Sequence, residues 1–136
     1  MDPQGLADEE RRQFDVMLER VLGALPDHLH ALLEEVPLMV EDYPSDEVMD
    51  DLEIEYVDQL CGLHTGIPLT ERSVLHSGTL PDHMIVYREG VYNAAAGRGG
   101  RVSARSLERQ IRITVLHEMG HHFGLNEDDL RRLGYG

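Results

Sequence analysis

The 136 residues include one cysteine, two phenylalanines and no tryptophan. A lone cysteine excludes a disulfide framework and a thiolate zinc cluster, and Cys61 reads as a small buried hydrophobe. Lysine is absent, so all 12 basic residues are arginine; against 26 acids they leave a net charge of −14. Such a surface repels nucleic acid and anionic membranes, and neither is expected as a partner. No apolar run approaches the roughly 20 residues of a membrane span. The opening MDPQGLADEERRQ lacks the basic-then-apolar order of a secretory signal. A cytoplasmic chain is the expectation. With 41% hydrophobic and 28% charged residues, the composition is that of a folded domain, and the length suits a single unit over 1–136.

The apolar residues are patterned. Phe14, Met17, Leu18, Val21, Leu22 and Leu25 fall at helical spacing, and Pro26 stops the run. DHLHALLEEV follows as a shorter helix with Leu29, Leu32 and Leu33 inward. VPLMVED (36–42) has the length and composition of a strand and ends in a turn at Tyr43-Pro44-Ser45. The acidic segment 45–59 reads as short helical pieces, and 61–81 as loop around one short strand. HMIVYRE (83–89) is a strand, with GVYN (90–93) as the returning arm of a hairpin. AAAGRGGRVS (94–103) reads as a flexible connector. Its Arg98 and Arg101 are only weakly reminiscent of a phosphate loop, because no strand–loop–helix with a Lys-Ser/Thr ending follows. A last long helix runs from Ser103 or Ser106 to His122 or Phe123, with Leu107, Ile111, Val115, Leu116 and Met119 among its apolar set. Gly124 stands where a helix end takes positive φ.

That helix carries the chemistry, in the stretch VLHEMGHHFGLNEDDL. Residues four apart lie on one helical face about 6 Å apart, so His117 and His121 can aim two imidazole nitrogens at one ion. Glu118, rotated about 100° from His117, is badly placed as a ligand but well placed to reach a water held at the ion. Gly124 lets the chain turn back, so that Glu127 or Asp128 can supply a carboxylate as the third ligand. Two imidazoles, one carboxylate and an open position describe a catalytic rather than a structural zinc site. H-E-x-x-H arises by accident in roughly a few per cent of chains of this composition, and less often on a periodic helix with a glycine stop.

At these residues the chain resembles the small zincin-like metallopeptidases, or mini-zincins. The resemblance extends over the N-terminal helix, VEDYPS (40–45), CGLHTGIPLTERS (61–73), PDHMIVYRE (81–89) and HEMGHHFG (117–124). It implies a compact α+β core with a small mixed sheet and a long active-site helix near the C-terminus. It also implies an edge strand beside that helix, and 84–88 is the candidate for pairing with an extended peptide substrate. The family pattern H-E-x-x-H-x-x-G-x-x-D places its final acid at position 127, where this chain has Glu127, with Asp128 next as runner-up.

The expected function is therefore zinc-dependent peptide-bond hydrolysis. Zn²⁺ is held by His117, His121 and Glu127, with Glu118 as general base. The rival reading keeps the zinc and the fold but makes the chain a catalytically silent interaction module. His122 is expected to line the cleft or to bond an acid that orients the site, and Asp128 and Asp129 are further candidates for orienting the imidazoles. Tyr87, Tyr92 and Tyr135 are hydroxyl donors that could face a developing oxyanion. His64 is expected to pack. His28, His30, His76 and His83 have no spacing that suggests a site.

Overall fold

A computed structural model of the chain describes residues 5–65 and 82–134. The candidate Tyr135, His76 and the whole segment GIPLTERS (66–73) therefore lie outside the described residues. Helix α1 (Asp8–Gly23) opens with the Ala7 N–H donating to the Glu10 carboxylate at 2.9 Å and three acids in its first turn, where the helix dipole favours them. It buries Phe14, Leu18 and Val21. Pro26 separates it from α2 (Asp27–Glu35) and serves as the N-cap of that second helix. Strand β1 (Leu38–Glu41) is followed by α3 (Asp46–Asp51), capped by Ser45, whose hydroxyl accepts from the Val48 N–H at 3.2 Å. Then come β2 (Gly62–Thr65), β3 (His83–Tyr87), α4 (Arg88–Ala96), a 3-10 turn at Gly97–Gly99, α5 (Ala104–His122) and α6 (Glu127–Leu133). The α+β expectation holds: a three-stranded mixed sheet is set among helices.

The sheet order is β1-β3-β2. Leu38 pairs with Met84 in a parallel ladder, and Gly62 with Val86 in an antiparallel one. Residues 84–87 are buried on both faces, as an uninterrupted apolar run in a central strand should be. This corrects the expectation for 84–88. The strand has neighbours on both sides, leaving its backbone no unpaired edge for a peptide, and Arg88 already belongs to α4. Of the two outer strands among the described residues, β2 is the one that packs on α5.

Two further expectations fail in the same place. GVYN does not return as a hairpin arm, and Ala94–Ala96 are not connector; all belong to α4. Alanine has the strongest helix propensity, and Val91 on this stretch is fully buried in the core. Gly90 permits the packing: a β-carbon there would stand 1.9 Å from the Leu60 carbonyl oxygen, so no larger residue fits. Tyr92 fastens α4 to α1 by donating its hydroxyl to the Glu10 carbonyl at 2.7 Å. Arg88 clamps the same corner, reaching Asp15 at 2.7 Å and Asp42 at 3.0 Å.

Helix α5 runs through the middle. Ser103 caps it, its hydroxyl accepting from the Ser106 N–H at 3.0 Å. Leu107, Ile111, Val115 and Met119, spaced by four, form one buried ridge and join Phe14, Leu18, Met84, Val86 and Val91 in a single core. The helix ends where expected, with Gly124 at φ 87°. Among the described residues, no helix is long and apolar enough to cross a membrane.

Candidate metal centre

The last two turns of α5 and the first residue of α6 build the site. His117 Nε2 lies 3.1 Å from His121 Nε2. Glu127 Oε1 is 2.9 Å from His121 Nε2 and 3.3 Å from His117 Nε2. For a tetrahedral ion with bonds of 2.0–2.1 Å, neighbouring ligand atoms are separated by roughly 3.3 Å. The three donors thus already hold nearly the spacing that a zinc-sized ion requires. A carboxylate and two imidazoles are also the right donor types for zinc. All three side chains retain solvent contact, so the cluster has an open side.

The local sequence explains the convergence. His121 Nδ1 is 3.1 Å from the Leu125 carbonyl, which can only accept, so Nδ1 donates there and Nε2 is the atom turned to the cluster. Gly124 reverses the chain and Asn126 caps α6, its side chain accepting from the Asp129 N–H at 2.8 Å. Leu130 is completely buried and anchors α6 against α5. It fits because residue 120 is glycine: a β-carbon there would stand 2.4 Å from Leu130 Cδ2. Asp128, the runner-up for third ligand, points elsewhere and pairs with Arg131. Asp129 is occupied with Arg132 and the cap of α6.

Glu118 is buried beside the cluster. Burial pushes its carboxyl up to about 7; Glu127 pushes in the same direction, whereas His117 and the His64 peptide N–H, which donates to it, pull it down. Strand β2 approaches the carboxylate closely, since a β-carbon on Gly62 would lie 3.1 Å from both Cγ and Oε2 of Glu118. A cavity of about 360 Å³ opens next to His117 and Glu118, bounded by Leu60, Ala94, Ile113 and Thr114. A larger groove of about 570 Å³, with Val16, Met17, Val102 and Leu107 in its wall, lies at the far end of α5 and contains no imidazole.

Other candidates fare differently. Tyr92 is committed to the Glu10 carbonyl, away from the cluster. Tyr87 is almost wholly buried, and its hydroxyl is pushed up to about 12, chiefly by burial, with Glu41 and Glu118 adding to the effect. His122 does not line an open cleft. It is buried, and its Nδ1 meets Asp82 Oδ2 at 3.0 Å. His64, expected to pack, instead places Nε2 3.7 Å from the same carboxylate oxygen. Asp82 carried no signal in the sequence beyond being a charged residue at the entry to an apolar strand.

A family model described as zincin-like metallopeptidase matches residues 33–136, leaving α1 and most of α2 outside the match. No curated protein matches the chain. With most of its length matched, including every residue of the cluster, the chain belongs to the zincin-like metallopeptidase family.

Proposed function

We propose that the chain is a zinc-dependent peptidase whose metal ligands are His117, His121 and Glu127 and whose general base is Glu118. The observation that carries this reading is the triangle of Nε2, Nε2 and Oε1 at 2.9–3.3 Å, with a buried carboxyl next to it that belongs to none of its corners. A metal-free role for this helix end gives no reason to focus three donor atoms on one point. A closed structural site would have no use for Glu118.

Zinc, when bound, supplies a Lewis acid that polarises the scissile carbonyl and acidifies water. The chain supplies the rest. Leu125 fixes the tautomer of His121 through its carbonyl. Glu118 accepts a proton from the attacking water and hands it to the leaving amine nitrogen. The His64 N–H and the close wall of Gly62 hold that carboxylate in one orientation. The substrate is a peptide segment of a protein or a free peptide. β2 is the strand that both borders α5 and has one strand neighbour among the described residues. It therefore takes over the substrate-pairing role first expected of 84–88.

The test is a digest of a peptide library by protein of known zinc content, with and without chelator. Cleavage that requires zinc and vanishes in Glu118→Gln supports the assignment. Full cleavage by a zinc-loaded Glu118→Gln variant, or none by the zinc-loaded native chain, overturns it.

A further inference from the structure

The same helix end belongs to a second cluster of metal-ligating groups. His64 on β2, Asp82 at the entry to β3 and His122 at the end of α5 each contribute one donor atom, and these atoms all lie within 4.8 Å of one another. His122 Nδ1 and His64 Nε2 stand 3.0 and 3.7 Å from Asp82 Oδ2, values that bracket the roughly 3.3 Å between neighbouring ligands of a tetrahedral zinc ion. The side chains are only 4–6% exposed. Successive residues of a helix point about 100° apart, so His121 faces the open cluster while His122 turns inward to this one.

We propose that His64, Asp82 and His122 bind a second divalent ion, of zinc type, in a buried site separate from the His117–His121–Glu127 centre. Two observations converge on it besides the spacing. The donor set of two imidazoles and one carboxylate suits zinc and its first-row neighbours. And the three donors arrive from three different parts of the fold, as they do where an ion cross-links it. The ion fastens β2 and the entry of β3 to the last turn of α5. Because the His64 peptide N–H donates to Glu118, fastening His64 also steadies the carboxylate beside the open centre.

The experiment is a zinc titration of chelator-stripped protein, followed by calorimetry and by elemental analysis after desalting. Four proteins are compared: the native chain, His117→Ala/His121→Ala, His64→Gln and Asp82→Asn. The expected result is two zinc equivalents for the native chain and one for each variant. Zinc should also raise the melting temperature of His117→Ala/His121→Ala, in which the buried cluster is untouched. That double variant alters only partly exposed side chains, so the proposal stays testable even if the His64 and Asp82 variants fold poorly. A zinc count unchanged by His117→Ala/His121→Ala but lowered by His64→Gln would sink the open centre and keep this site. One equivalent in the native chain and none in His117→Ala/His121→Ala would overturn the proposal. The three side chains would then form a metal-free hydrogen-bonded cluster.

Discussion

His121 and His122 are neighbours in the chain, yet they join clusters of opposite character. His121 meets a histidine one turn away and a glutamate six residues on, in a site that stays open to water. His122 meets an aspartate 40 residues away and, through it, a histidine on β2, in a site closed off from solvent. The donor types are the same in both. Openness and sequence separation differ, and those two properties distinguish a centre able to admit a substrate from one able only to hold parts together. A helix that presents two adjacent imidazoles can reach two clusters because its rotation per residue sends them apart.

The sharpest way to break this contrast is at Glu118, which adjoins both clusters. Glu118→Gln should keep its zinc and lose about 10²- to 10⁴-fold in peptide hydrolysis, as measured by initial rates at matched metal content. Next in size is Asp82. Asp82→Ala removes the carboxylate between two buried imidazoles and should cost about 3–5 kcal/mol in denaturant unfolding. Asp128→Ala, on the exposed side, should stay within about 0.5 kcal/mol. If the two aspartates cost the same, Asp82 is not held in a closed cluster. Third, Glu127→Gln should weaken zinc binding at the open centre in a competition titration with a chromogenic chelator, because it removes a carboxylate ligand, while Asp128→Asn leaves it unchanged. The reverse ranking would make Asp128 the third ligand.

The smallest effect is a pH dependence of the metal-free chain. The Glu118 carboxyl stands at about 7 in the folded protein against an ordinary value of 4.5. A raised value means that the folded state holds the proton more tightly. Its contribution to stability is therefore full below 4.5 and is lost as pH rises through about 7. Glu118→Gln carries no such proton. The melting temperature of the metal-free variant relative to the metal-free native chain should therefore climb between about pH 5 and about pH 8. A difference that stays flat across that range would mean the carboxyl is not held in its buried place.

How far the sequence reveals each cluster follows from the same contrast. His117, Glu118, His121 and Gly124 are tied together by helical periodicity, and Glu127 by a short turn, so their proximity can be read from spacing alone. The buried cluster depends on how β2 and β3 pair and on how α5 crosses them, and no local pattern encodes that. Hence His64 passed as a packing residue and Asp82 went unremarked. α4 is hidden for a related reason. The glycines of GRGGR look like a connector, and they stand directly after three alanines that in fact prolong a helix. The position of β3 in the sheet was also hidden, although its unbroken apolar run already favoured a strand covered on both faces over an edge.

The seating of Leu130 into the space left by Gly120 bears on when the open centre comes into being. His117 and His121 face one another as soon as the end of α5 is helical, a local event on the microsecond scale or faster. Glu127 arrives only when α6 docks, and the burial of Leu130 against Gly120 is part of that docking. Under the proposed ligand set, metal capture is staged: a two-imidazole encounter at the helix end, then closure by a carboxylate carried on a short lever, whose seat depends on the absent side chain of residue 120.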